Sequence, residues 1–321
     1  MNVKRWVGRQ ESQWQQLEVL LSRAECQGLK ALSAREVQQL SSLYRLVAAD
    51  LSRARTRQVG VAVTEQLQGL ATRSYAQIYQ GGRRQNWQAM VDFISWGFPG
   101  AVQQAMGAVA IATTIFLLGA AVGWWYTWRD PAFMQLVVPS GIIELVQDKG
   151  QLWMGSIVGM EPLASSAIMR NNISVTFTTF AGGMLGGLGT LFVLWNNGLH
   201  IGAIATLVGQ NNLAYPFWAF VFPHGALELP AIFLAGGAGL LLAQGILFPG
   251  RYGRLEALKG AGNQAILLMF GVVPMLVIAG IIEGFFSPAP QIPDSLKYLV
   301  GLLLLLGLVL YLNRQPPPPS A

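Results

Sequence analysis

The residues best placed to do chemistry lie in the apolar run Phe217–Phe248, which is interrupted by Pro223-His224-Gly225-Ala226-Leu227-Glu228-Leu229-Pro230. The run is long enough to cross a bilayer, and a His or Glu in hydrocarbon costs ~2–4 kcal/mol, so such residues are rare there without a task. His224 and Glu228 stand at i, i+4, on one face of a helix. Pro223 suits a first helical turn. Pro230 removes a backbone donor and predicts a kink or local break. A further carboxylate, Glu283, lies in another apolar run, 265–286. With a rise of about 1.5 Å per residue, depth can be counted along each run. Glu228 lies 20 residues before Phe248, and Glu283 lies 20 residues after Asn263, so both fall in one layer near the outer face. Asn171, Asn172, Asn211 and Asn212 fall near that layer too. Together with His224, Glu228 and Glu283 they are candidates for one buried polar cluster.

Three chemistries fit such a cluster. It can be a structural network satisfying broken-helix ends, or a site for a ligand, proton or ion. A hydrolytic or metal centre needs more ligands than one His and two Glu, unless Asn or water helps. No HExxH, GxSxG or CxxC pattern occurs, so neither an enzyme nor a cofactor is expected, and a metal is left open.

The elements that must position these residues are membrane helices. Of 321 residues, 53% are hydrophobic and 11% charged, a balance too apolar for a soluble domain of this size. The 37 glycines suit helices packed closely in a membrane. The single Cys26 excludes an internal disulfide. Residues 1–98 hold 13 Lys+Arg against 7 Asp+Glu, whereas residues 99–321 hold 8 against 8. The basic surplus therefore sits in the N-terminal region. With no groove-reading motif beside it, it fits a cytoplasmic segment near an anionic membrane surface rather than nucleic acid.

In chain order, residues 1–82 read as a cytoplasmic helical region with two amphipathic helices over 2–59, a break near Gly28 and a third helix over 61–80. Ser33-Ala34-Arg35-Glu36 has the capping-box pattern that opens the second helix. Residues 83–104 read as an interfacial amphipathic helix, basic at its start and rich in Trp, Phe and Ile. Residues 105–313 read as the transmembrane domain, with a first span at 105–126 that ends in an aromatic belt. An external segment with an amphipathic helix around 132–147 follows, then a second span at 172–195 carrying the Gly-rich Ala181–Gly189. Residues 199–222 read as a half-helix, a polar break and a second short piece, returning through a broken helix at 223–248. The last spans fall at 265–286 and 296–312, and 314–321 read as a disordered Pro-rich tail. The expectation is an all-α polytopic protein of about six transmembrane helices with broken or half helices. It would lie in the plasma (inner) membrane with both termini cytoplasmic, because the basic segments then share one side.

Four stretches carry a family resemblance: FPHGALELPA at 222–231, MRNNISVTF at 169–177, WNNGLHIG at 195–202 and IIEGFFSP at 281–288. With the basic helical N-terminus and Phe98-Pro99-Gly100 before the first span, the chain resembles the stage II sporulation protein M family of integral membrane proteins. In spore formers the family member belongs to the engulfment machinery and anchors wall-degrading partners at the membrane. The long N-terminal helical region looks like the non-sporulating branch. The resemblance implies membrane location and a scaffold or assembly role in the cell envelope. Its expected partners are the lipid bilayer, other envelope membrane proteins, wall-remodelling enzymes and further copies of itself, but no nucleic acid. The alternative is a transporter-like subunit using His224, Glu228 and Glu283 for a proton or ligand.

Overall fold

The computed structural model describes residues 3–57, 59–79, 83–157 and 159–315. The expected end of the third helix, at residue 80, and tail residues 316–321 lie outside the described residues. The chain divides into two compact units, Met1–Asp92 and Phe93–Ala321.

The first unit is built on α1 (Val3–Gln27), α2 (Ala34–Thr56) and α3 (Val61–Tyr79), followed by α4 (Arg83–Asp92). Trp14, Leu17, Leu21, Leu40, Val47, Leu67 and Leu70 form its core. Gly28 turns the chain between α1 and α2 at φ 83°, a conformation that favours glycine. The capping box is complete: Glu36 N–H donates to Ser33 Oγ at 3.3 Å, and Ser33 N–H donates to Glu36 Oε2 at 2.8 Å. The aromatic and aliphatic side chains of α4, Trp87, Met90 and Val91, are exposed.

The second unit opens with a π-turn at Phe93–Gly97 and α5 (Phe98–Gln104). The segment expected as one interfacial helix over 83–104 is thus interrupted by a π-turn. Then come α6 (Met106–Arg129), the short α7 (Pro131–Val137) and α8 (Ser140–Gln147), α9 (Glu161–Ala181), α10 (Leu188–Gln210), α11 (Ala214–Leu247), α12 (Arg254–Ile281) and α13 (Asp294–Leu312). Among the described residues, α6, α10, α11, α12 with its following turn, and α13 are long and apolar enough to cross a membrane. The polar α9 is long enough as well, at about 31 Å for its 21 residues. The protein is an all-α, multi-pass membrane protein.

Residues 172–195, expected as one span, form parts of two helices. The Gly-rich stretch is the turn between them: Gly186 and Gly187 adopt φ 64° and 86°, so α9 and α10 make a hairpin. Gly182 lies directly on Gly189, and Gly183 on Gly239 of α11, leaving no room for any side chain. Likewise 199–222 is not a half-helix with a deep break. α10 continues to Gln210, Asn211–Leu213 make a short turn, and α11 begins at Ala214. Both Pro223 and Pro230 lie inside α11, whose helix runs on through them. Each proline removes one donor only, and the surrounding helices hold the rest of the ladder in place. The irregular turns lie elsewhere, at 93–97, 182–187 and 282–286.

α11 is the central helix, buried along most of its length and packed against α6, α9, α10, α12 and α13. Lipid supplies no hydrophobic drive between helices, so close backbone approach through small residues does the joining. Gly123 and Gly202 show this in the parallel pair α6–α10, where each meets the other helix's backbone. At one end of the bundle α5 ties to α13: Gln103 Nε2–H donates to Leu312 O at 2.8 Å, and the Arg314 guanidinium stacks on Trp96.

Candidate functional site

The site forms where the N-terminal half of α11 meets the end of α12. On α11, His224 and Glu228 share a face, as the i, i+4 spacing requires. On the other side, α12 passes at Ile282 into a π-turn, Ile282–Phe286, closed by Ser287 N–H to Ile282 O at 2.8 Å. π-turns cost helix energy and recur at functional sites. This one brings Glu283 and Ser287 together towards His224. α9 braces it from outside. Gly284 lies so close to Ser165 that no side chain would fit, and Ser165 Oγ–H donates to Gly280 O at 2.8 Å.

The structure brings His224, Glu228 and Glu283 together, with one ligand-capable atom of each within 4.8 Å of the others. His224 is 4% exposed and packs edge-on against Phe220, ring centroids 5.4 Å apart. Its Nδ1 is 3.2 Å from Ser287 Oγ. Its Nε2 faces Glu283 Oε1 at 3.8 Å, beyond hydrogen-bonding distance. Glu283 Oε2 is buried and has no hydrogen-bond partner. The arrangement therefore offers one imidazole nitrogen and two carboxylates around a small gap, enough to bind a cation or hold a proton.

The hydrogen bonds of the asparagines go to other groups. Asn171 is exposed, and its Nδ2–H donates to Asn172 Oδ1 at 3.3 Å. Asn211 Nδ2–H donates to Leu207 O at 2.7 Å, closing the end of α10. Asn212 takes φ 57° in the turn, a left-handed conformation that asparagine tolerates better than most residues. These amides serve helix ends and each other, because the hairpin at 182–187 and the turn at 211–213 shift the helix boundaries on which the depth count for them rested.

Ser287 and Ser165 are the site residues that the sequence reading missed. A serine in an apolar stretch carries no signal by itself. The IIEGFFSP stretch at 281–288 was nevertheless noted, and Ser287 stands at i+4 from Glu283 within it.

Comparison with known proteins adds the following. The model of a family described as stage II sporulation protein M matches residues 112–288, a stretch that includes all three cluster residues. A second model, described only as a domain of unknown function, matches residues 4–80. The chain is similar to an uncharacterized protein of Methanocaldococcus jannaschii, with 26% identity over 121 residues that make up 37% of this chain and 53% of that protein. The chain thus spans about half the length of the curated relative it matches. No solved structure matches the chain.

Proposed function

This chain belongs to the stage II sporulation protein M family, and from that membership we propose that it is an integral scaffold or assembly factor of the cell envelope with no reaction of its own. The observation that carries the reading is the two-part architecture: a compact helical bundle, none of whose described helices is long and apolar enough to cross a membrane, on the same chain as a unit with five that are. Asp50 and Arg73 tie the bundle's helices together through Trp14, Glu18 and Glu25, while hydrophobic Val19 and Leu46 stay exposed, at 61% and 46%. Such a unit offers a surface to partners, and the membrane helices anchor the chain that carries it. The partners this reading requires are envelope membrane proteins, wall-remodelling enzymes among them, or further copies of the chain. The membrane is the plasma (inner) membrane, with both termini cytoplasmic, because Arg251, Arg254, Lys259 and Arg314 flank the same helix ends.

Photo-crosslinking in cells from positions 19 and 46 tests the reading. Discrete envelope-protein adducts are expected, and they should vanish with an excess of uncrosslinkable chain. A pattern no different from that of a soluble control protein would remove the scaffold role. Sidedness is tested separately by cysteine labelling in a Cys26→Ser background: Ser140→Cys and Gln291→Cys should react from outside and Arg254→Cys should not.

One observation favours the second reading, a transporter-like subunit with a proton or ligand site: Glu283 Oε2 is a buried carboxylate oxygen without a hydrogen-bond partner, close to the buried His224. Proteoliposomes loaded with a pH dye should then acidify under a gradient, and those holding Glu228→Gln should not.

A further inference from the structure

We propose that His224, Glu228 and Glu283 form a binding site for one divalent transition-metal ion of the zinc class, held between α11 and the π-turn after α12. The site goes beyond the scaffold reading and does not depend on it.

The donor set comes first. One nitrogen and two carboxylate oxygens from two helices lie within 4.8 Å of one another. Bonds of about 2.0–2.2 Å to one ion in a tetrahedral arrangement place ligand atoms about 3.3–3.6 Å apart. The widest-set of the three atoms must therefore close by at most about 1.5 Å, a movement that side-chain rotation supplies. A divalent ion balances two carboxylates that otherwise face each other in a place water reaches poorly.

The second point is how His224 is held. A metal-bound imidazole presents one nitrogen to the ion and gives its other N–H to an oxygen nearby. Nδ1 meets Ser287 Oγ at 3.2 Å, and with that N–H donated, Nε2 carries the free lone pair. That nitrogen points at Glu283 Oε1 at 3.8 Å, too long for a hydrogen bond and fitting for two ligands of one ion.

Third, the cluster differs from the polar contacts that serve structure in the same bundle. Ser165 donates to Gly280 O at 2.8 Å, Thr190 to Thr179 O at 2.7 Å and Thr206 to Trp124 O at 3.1 Å. Those hydroxyls close their bonds directly, whereas the Thr127 and Thr176 hydroxyls, like Glu283 Oε2, are buried without a partner, and a neutral hydroxyl left so costs less than a carboxylate oxygen. Glu283 Oε2 closes none, and a buried acceptor left without a donor is costly. An ion in the gap held by both oxygens of Glu283 gives it a partner. The imidazole selects the class of ion, since magnesium and calcium sites are built from oxygen alone. Three protein ligands leave a position for water, which completes the coordination that the side chains do not.

The test uses the full-length chain purified in detergent, stripped with chelator and reloaded with Zn²⁺ or Co²⁺. Metal analysis should find about one ion per chain, and the Co²⁺ form should show the visible bands of a low-symmetry nitrogen–oxygen site. Glu228→Gln and Glu283→Gln keep size and hydrogen bonding, and each should abolish stoichiometric binding and the bands. Ser287→Ala should weaken affinity about 10–100-fold, because it frees the ring the ion needs fixed. The exposed Glu144→Gln serves as a control and should bind normally. A folded, monodisperse wild-type chain that takes up no stoichiometric metal would overturn the proposal. So would binding that survives in both Glu variants.

Discussion

The two units treat their charges in opposite ways. In the N-terminal bundle four carboxylates are engaged with partners. Asp50, 3% exposed, accepts from the Trp14 indole N–H at 3.1 Å and pairs with Arg53 at 3.3 Å. Glu18 and Glu25 share Arg73 at 2.7 Å each, and Glu36 closes its capping box. In the membrane unit His224, Glu228 and Glu283 converge at distances that stop short of direct bonds, and one Glu283 oxygen has no partner. Charges beside water are easy to place and end up serving the fold. Charges brought among membrane helices are expensive, and a set left open where direct closure was within reach is arranged for something that enters.

If the first half of the contrast holds, breaking the bundle's buried pair should have the largest effect. Trp14→Ala removes a core side chain that is 2% exposed and strands Asp50, so the fragment 1–79 should lose about 3–5 kcal/mol in urea unfolding followed by circular dichroism. In the membrane unit the matching structural test is Gly202→Leu, which forces a side chain into the α6–α10 backbone contact. Overpacking of this kind costs about 1–3 kcal/mol or more, and should appear as a lower thermal midpoint in detergent. Ser33→Ala should cost the fragment about 1 kcal/mol through the lost cap. The same cap sets a pH dependence. The Ser33 backbone N–H, helped by the Ser33 hydroxyl and Arg23, pulls Glu36 down from the usual carboxylate range to about 2. A carboxylate lowered on folding stabilises above its unfolded value, and the gain fades as pH falls from about 4.5 towards 2. A pH series in which Ser33→Ala and the parent lose stability equally would contradict this. Smallest of all, Arg73→Ala opens two solvent-exposed ion pairs and should cost at most about 1 kcal/mol, reduced further by salt.

The sequence announced the parts of this architecture that depend on local patterns. Apolar runs marked α6, α11, α12 and α13 because length and composition alone qualify a span. The capping box at Ser33 was readable because its chemistry lies within four residues. His224 and Glu228 were readable as a pair from helical periodicity, and Glu283 joined them through a depth count along two helices whose joined ends are marked by one basic loop. What failed depended on backbone geometry. The polar α9 hides its character behind Arg170, Asn171 and Asn172. The Gly186-Gly187 turn looks like any small-residue packing stretch until its left-handed dihedrals are seen. Missing that hairpin moved two helix boundaries, and the hydrogen bonds of Asn171 and Asn211 go to groups outside the cluster. The π-turn that aims Glu283 and Ser287 leaves no periodic trace, because a single i→i+5 closure is a response to packing.

The contrast between the two units comes down to whether the membrane cluster is finished without a guest. Thermal unfolding of the full-length chain in detergent, with and without saturating Zn²⁺, tests this most directly. The account predicts that metal-free wild type and Glu283→Gln unfold at similar temperatures. It further predicts that Zn²⁺ at about 100 times its dissociation constant stabilises only the wild type, by about 2.7 kcal/mol. A wild type indifferent to Zn²⁺, paired with a Glu283→Gln chain already destabilised in its absence, would show that the cluster is a structural brace and would contradict the account.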